Sequence, residues 1–128
     1  MELNLNNKTA LITGSSKGIG KAIAESMAEE GCNLILTARS EDKLITVKSD
    51  LQKKYNISVE IIAIDLSLKG AAEKVAEFSG NVDILINNAG AIPPGNILDI
   101  NEDIWRESWD LKVFGYINLT RVIYSKMK

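Results

Sequence analysis

Short apolar runs alternate with amphipathic stretches along the chain, and the alternation predicts strands and helices in turn. Residues 8–13 hold Ala10, Leu11 and Ile12 between the polar pair Asn6-Asn7 and Gly14. A run of that kind suits a strand buried on both faces of a parallel sheet. From Ile19 the period changes. Ile19, Ala22, Ile23 and Met27 share one helical face, Lys21, Glu25 and Glu29 share the other, and Gly31 ends the helix. Residues 32–37 form a second apolar run, after which Ser40 opens a polar helix with Leu44, Val47 and Leu51 on its apolar side. Residues 59–64 predict a third strand that stops at Asp65. The shorter helix after it buries Ala72, Val75, Ala76 and Phe78 and closes at Gly80. A fourth strand, residues 82–86, runs into Asn87-Asn88-Ala89-Gly90 and a loop with Pro93, Pro94 and Gly95. Helical periodicity returns at Asn101 and continues almost to the last residue, with a break expected near Ser108.

Strands that alternate with helices at this spacing predict an α/β fold, a doubly wound parallel sheet with right-handed crossovers. The 128 residues fit one domain, 1–128. In such sheets a ligand lies beyond the carboxyl ends of the strands. The unusual residues of this chain fall there: the glycine loop after the first strand, Ala38-Arg39 after the second, Asp65 after the third, and residues 87–90 after the fourth.

The loop Thr13-Gly14-Ser15-Ser16-Lys17-Gly18-Ile19-Gly20 joins a strand to a helix. Backbone N–H groups and the positive end of the helix dipole then converge where an anionic phosphate can sit. Gly14 permits the turn, Gly18 a close approach of backbone to ligand, and Gly20 a close approach of helix to strand. Three residues separate the first two glycines, where the usual dinucleotide fingerprint has one. A P-loop would need Gly-Lys-Ser/Thr at its end, but Lys17 precedes Gly18. Alone, the loop reads as a phosphate cradle or as an ordinary turn. The convergence of four strand ends favours the cradle.

Composition narrows the classes. Hydrophobic residues at 45% and charged residues at 25% suit a globular domain, not a disordered one. A net charge of −2 and no basic stripe argue against a nucleic-acid partner. No apolar run is long enough to span a bilayer, and residues 1–7 are too short and polar for a signal peptide, so no membrane partner and a cytoplasmic location are expected. The single Cys32 is expected to be a small buried residue. With no histidine, His-based triads and the common zinc sites are excluded, and no metal site is expected.

Thr13-Gly14-x-x-x-Gly18-Ile19-Gly20, then Asp65-Leu66-Ser67, then Asn87-Asn88-Ala89-Gly90, resembles the N-terminal half of the short-chain dehydrogenase/reductase family. The resemblance implies a Rossmann-type sheet of order 3-2-1-4 and a nicotinamide dinucleotide bound across the strand ends. It places the pyrophosphate and adenosine ribose at Gly14, Ser15, Ser16, Lys17, Gly18 and Ile19, with Gly20 closing the motif. Asp65 and Leu66 would meet the adenine edge, the Asp65 side chain accepting from the exocyclic amine. Asn88, Ala89 and Gly90 would flank the ribose and nicotinamide. After the second strand an acidic residue would bind a ribose 2′-hydroxyl and a basic one a 2′-phosphate. Arg39 stands there, with Lys17 in reach, which implies a preference for NADP(H) over NAD(H), the alternative cofactor.

The same resemblance implies an oxidoreductase acting on a small carbonyl or alcohol substrate, with the family's catalytic Ser and Tyr-x-x-x-Lys falling beyond Lys128. Tyr124 and Lys128 have the Tyr-x-x-x-Lys spacing, but with no fifth strand or serine ahead of them they read as a terminal helical turn. Aligning Trp105 and Gly115 with the family's helix puts Lys112 where the family has a catalytic asparagine, a departure with two readings. One is a lysine that donates to a water or carbonyl, with a charge that alters the relay and favours an anionic substrate group; the other is a lysine that reaches solvent and does no chemistry. Pro93, Pro94 and Gly95 would contribute a rim to the substrate pocket. Trp109, Val113, Phe114, Ile117, Val122, Ile123 and Met127 give the last helix more apolar surface than one sheet face needs. Together with an edge position for the fourth strand, this implies a homo-oligomer through the C-terminal helix or further sequence after it. The expectation is the cofactor-binding part of a longer dehydrogenase, with a non-catalytic dinucleotide-binding module or a truncated remnant as alternatives.

Overall fold

In a computed structural model that describes residues 2–90 and 93–128, four strands are found among the described residues. These are β1 (Thr9–Thr13), β2 (Asn33–Ala38), β3 (Val59–Ala63) and β4 (Ile84–Ile86). They form one parallel sheet in the order β3-β2-β1-β4, the order expected from the sequence. In the register, Ile12 of β1 stands beside Leu36 of β2 and Ile86 of β4. All strands therefore end at one edge of the sheet, and their following loops meet there.

The side chains of β1 and β2 divide between two faces, as the period of two requires. Ala10, Ile12, Leu34 and Leu36 pack with α1 (Gly18–Glu29) and α2 (Glu41–Lys54). Leu11 and Ile35 pack with α3 (Ala71–Ser79) and α5 (Gly115–Met127), against Val75, Leu119 and Ile123. Each fully buried Leu or Ile contributes about 1.5–3 kcal/mol, so β1, buried on both faces, anchors the loop that follows it. Ser40 caps α2 by accepting from the Lys43 N–H at 3.5 Å, and Leu44, Val47 and Leu51 are buried as the pattern predicts.

Two helices bury a different stripe from the one the apolar pattern suggests. In α1 the buried residues are Gly20, Ala24 and Ala28, with Ile23 and Met27 packed at the margin and Ile19 and Ala22 exposed. Small side chains spaced by four let the helix lie close on the sheet, and the bulky ones are displaced to its flanks. In α3 the stripe is Ala71, Ala72, Val75 and Ala76, and Phe78 falls beside it, exposed.

The C-terminal helix has no break at Ser108. α4 (Glu102–Trp109) continues through a π-helical stretch, Asp110–Phe114, into α5. The Gly115 N–H donates to the Asp110 carbonyl, five residues back, which widens one turn without ending the helix. Gly115 itself is buried. A Cβ there would lie 3.4 Å from the Leu66 carbonyl oxygen, so glycine lets the helix press against the turn after β3. Trp109, Phe114, Ile117 and Tyr124 remain exposed on the outer surface. No helix of the described residues is long and apolar enough to cross a membrane.

Candidate functional site

The end of β1 and the end of β4 are tied into one unit by two side chains, Thr13 and Asn88. Thr13 is fully buried, and its hydroxyl oxygen accepts from the backbone N–H groups of Asn88 and Ala89, each at 2.9 Å. The Asn88 side-chain amide donates to the Gly14 carbonyl at 3.2 Å. Gly14 has φ +64°, and a Cβ there would lie 2.8 Å from the Ala89 Cα. A Cβ on Gly20 would collide with the Gly14 carbonyl oxygen. Glycines thus bring three backbones together, and residues 88–90 lie against the glycine loop.

Ser15 points inward. Its hydroxyl donates to the Ile12 carbonyl at 3.0 Å, and its backbone N–H donates to the Thr37 carbonyl at 3.3 Å, stitching the ends of β1 and β2. Ser16, Lys17, Gly18 and Ile19 lie on the other side of the loop and line an open cleft of about 410 Å³. Nothing lies within 4 Å of where a Gly18 Cβ would be. No side chain caps α1 and no acidic residue stands in its first turn, so the positive end of its dipole faces the cleft uncompensated.

The remaining walls of the cleft come from the other strand ends: Arg39 after β2, Leu66 after β3, and Asn88, Ala89 and Gly90 after β4. Of the residues expected at a site, ten line this cleft, while Ser15 and Gly20 support it from beneath. Lys17, Arg39 and Lys43 line it and no carboxylate does, although the chain as a whole is acidic. Thr37 lines it too, and its buried Oγ1 has no hydrogen-bond partner among the described residues.

Asp65 lies in an adjoining recess of about 150 Å³, with Arg39, Ser67 and Pro93. Its Oδ1 accepts from the Ser67 hydroxyl at 2.7 Å and from the Ser67 N–H at 3.0 Å. The Ser67 hydroxyl, with help from the Ser67 N–H and the Arg39 charge, holds the carboxyl below its ordinary value against the opposing effect of burial. Pro94 and Gly95 are exposed outside both cavities. Tyr124 and Lys128 do not line the cleft: Tyr124 is exposed on α5, with the Lys128 Nζ 5.5 Å from its ring centre. Lys112 sits in the π-helical stretch, exposed, its Cδ 3.9 Å from where a Gly90 Cβ would be.

Lys43 and Leu111 are among the cleft residues that the sequence reading missed, together with Thr37, Ser40 and Ile64. A usable signal existed for the first. Lys43 follows Arg39 by four residues in the first turn of a helix that starts at a strand's carboxyl end, so both side chains can reach the same crevice. Leu111 is delivered by the π turn, which has no local signature.

A family profile described as short chain dehydrogenase matches residues 8–128. The chain belongs to the short-chain dehydrogenase family. Members of this family are oxidoreductases acting on CH–OH and C=O groups. Among the relatives of this short-chain dehydrogenase chain, an uncharacterized oxidoreductase of Bacillus subtilis, YvaG, is 38% identical over 122 residues, covering 94% of this chain and 46% of that protein. The L-sorbose reductase of Gluconobacter frateurii, solved with NADPH and L-sorbose, superposes with a TM-score of 0.93 at 35% identity, covering 99% of this chain and 50% of that one. A short-chain dehydrogenase/reductase of Burkholderia phymatum, solved with NAD, has a TM-score of 0.90 at 27% identity, covering 98% and 46%. The chain thus spans about half the length of the relatives it matches.

Proposed function

We propose that this chain is the cofactor-binding part of an NADP(H)-dependent oxidoreductase that interconverts a small carbonyl compound and its alcohol. One observation carries the proposal: the cleft at the strand ends is lined by three cations and no carboxylate, over a glycine loop with open space above Gly18. These residues fit a dinucleotide. The first turn of α1 and the backbone of residues 16–19 would hold the pyrophosphate, since a helix N-terminus without an acidic neighbour favours an anion. Arg39 and Lys43, with Lys17 opposite, would hold a ribose 2′-phosphate, which a planar guanidinium pairs with in two parallel hydrogen bonds. Leu66 would cover the adenine. Asp65, already engaged by Ser67 through one oxygen, would keep the other for the exocyclic amine. Asn88, Ala89 and Gly90 would flank the nicotinamide half.

When bound, the nicotinamide supplies or accepts the hydride. The residues of this chain bind and orient. Thr13 and Asn88 fix residues 88–90 against the glycine loop, so that the two halves of the cleft keep a constant separation. Exposed Trp105, Trp109, Phe114 and Ile117 support association with a second copy, or with further sequence, along the C-terminal helix. The cytoplasm fits this reading, with the one cysteine buried and unpaired. Fluorescence titration with NADPH and with NADH tests it: NADPH binds more tightly, and equal or tighter NADH binding contradicts the assignment of Arg39 and Lys43.

A further inference from the structure

The three cations that line the cleft come from the ends of β1 and β2, where Lys17, Arg39 and Lys43 stand. β4 lies on the far side of β1 from β2. Residue 90 is therefore offset from Arg39 by two strand spacings, roughly 10 Å. At that far end stands a fourth cation, Lys112.

Lys112 occupies the middle of the π-helical stretch Asp110–Phe114, and its aliphatic stem passes Gly90, with Cδ 3.9 Å from the position of a Gly90 Cβ. The wide turn sets the neighbouring Leu111 into the cleft wall and leaves Lys112 exposed beside Gly90, which lines the same cleft. Such turns interrupt the regular hydrogen-bond ladder of a helix and are frequent at functional sites. Among the described residues, no carboxylate lies within 4 Å of the Lys112 ammonium. Two glutamate-paired residues on the surface, Lys54 and Arg106, show the contrasting arrangement of cations held by partners on their own chain.

We infer that Lys112 binds an oxyanion carried by the carbonyl or alcohol substrate, so that the substrate class is an oxo or hydroxy acid or a phosphorylated ketone rather than a neutral ketone. The inference rests on the reading that residues 88–90 flank the nicotinamide, because the reacting carbon must then lie at the Gly90 end of the cleft. An ammonium is a point charge on a flexible stem, suited to gripping an anion a few atoms from that carbon without fixing the orientation of the carbonyl itself. The phosphates of the dinucleotide are matched by Lys17, Arg39 and Lys43, which leaves Lys112 for a second anion.

The test uses the whole chain saturated with NADPH and reads the fluorescence of Trp105 and Trp109, both in α4 and continuous with Lys112. Levulinate is titrated against its methyl ester, and dihydroxyacetone phosphate against dihydroxyacetone, into the unaltered chain, Lys112→Gln and Lys112→Arg. At least one anion binds more tightly than its neutral counterpart. Lys112→Gln weakens that anion about tenfold, the scale of one charge-assisted hydrogen bond, and leaves the neutral probes unchanged. Lys112→Arg restores the preference, and the anion that loses most in Lys112→Gln identifies the carboxylate or phosphate class. NADPH affinity, measured first on each variant, stays the same. Unchanged anion affinity in Lys112→Gln, or no saturable anion binding to the NADPH complex, overturns the inference and leaves the cofactor reading standing. Absence of NADPH binding to the unaltered chain overturns both.

Discussion

The hydroxyl of Thr13, at the last position of β1, accepts a 2.9 Å hydrogen bond from the backbone N–H of Asn88, which follows β4, and the N–H of Ala89 converges on the same oxygen. Thr13→Val keeps the shape of the side chain but leaves both N–H groups without an acceptor. The expected cost is about 2–3 kcal/mol, read from urea denaturation, because each partly buried donor loses its partner. Thr13→Ser retains the oxygen and stays within about 1 kcal/mol of the parent. NADPH affinity falls in Thr13→Val and not in Thr13→Ser, since only the former releases residues 88–90 from the loop.

Two glycines of one loop respond differently to alanine. Gly20→Ala drives a methyl group into the Gly14 carbonyl oxygen and toward the Asn88 amide, and the rigid backbone cannot yield. It destabilises the fold by about 3 kcal/mol, as overpacking does. Gly18→Ala meets open space and is strained only by its φ of +58°, a cost of about 1 kcal/mol. Its methyl group projects where a phosphate would lie, so NADPH binding weakens by about tenfold or more. Thermal melts and NADPH titrations on the two variants separate these effects.

Arg39 and Lys43 set cofactor choice. Arg39→Gln weakens NADPH by roughly tenfold to a hundredfold and leaves NADH within about threefold, the scale of one or two charge-assisted bonds. Lys43→Gln gives a smaller loss in the same direction, and raising the salt concentration narrows the NADPH advantage in the parent. Dissociation constants for both cofactors on each variant check this.

The pairing of Ser67 with Asp65 makes stability depend on acid. The folded-state carboxyl titrates below its ordinary value of 3.8, chiefly because the Ser67 hydroxyl donates to it. The contribution is therefore fully present above that ordinary value and is lost as the pH falls through the folded-state value. Ser67→Ala moves the Asp65 titration upward, toward 3.8, and flattens the loss of stability below about pH 4. Carboxyl NMR titration and urea midpoints at acid pH measure the two consequences.

The strand order was implied by the family resemblance, and the buried face of α2 and the meeting of four strand ends were legible in the chain from local periodicity and the handedness of crossovers. The face of α1 was not. Apolar patterning selects Ile19 and Ala22, whereas contact with the sheet selects whichever residues permit the closest approach, here Gly20, Ala24 and Ala28. Ser15 and Ser16 look alike in sequence, yet the register of the loop turns Ser15 into the seam between β1 and β2 and leaves Ser16 on the cleft. The π turn replaced an expected break at Ser108. It ends at Gly115, which lies against the Leu66 carbonyl, a contact between distant segments that no local pattern encodes.

The central claim, that the cleft between the glycine loop and residues 88–90 holds a nicotinamide dinucleotide, is tested most directly by following backbone amide NMR signals while NADPH is added. Saturable shifts at Gly14, Lys17, Gly18, Arg39, Lys43, Asn88 and Gly90 are the predicted result. No shifts, or shifts confined to the outer surface of α4 and α5, would contradict it.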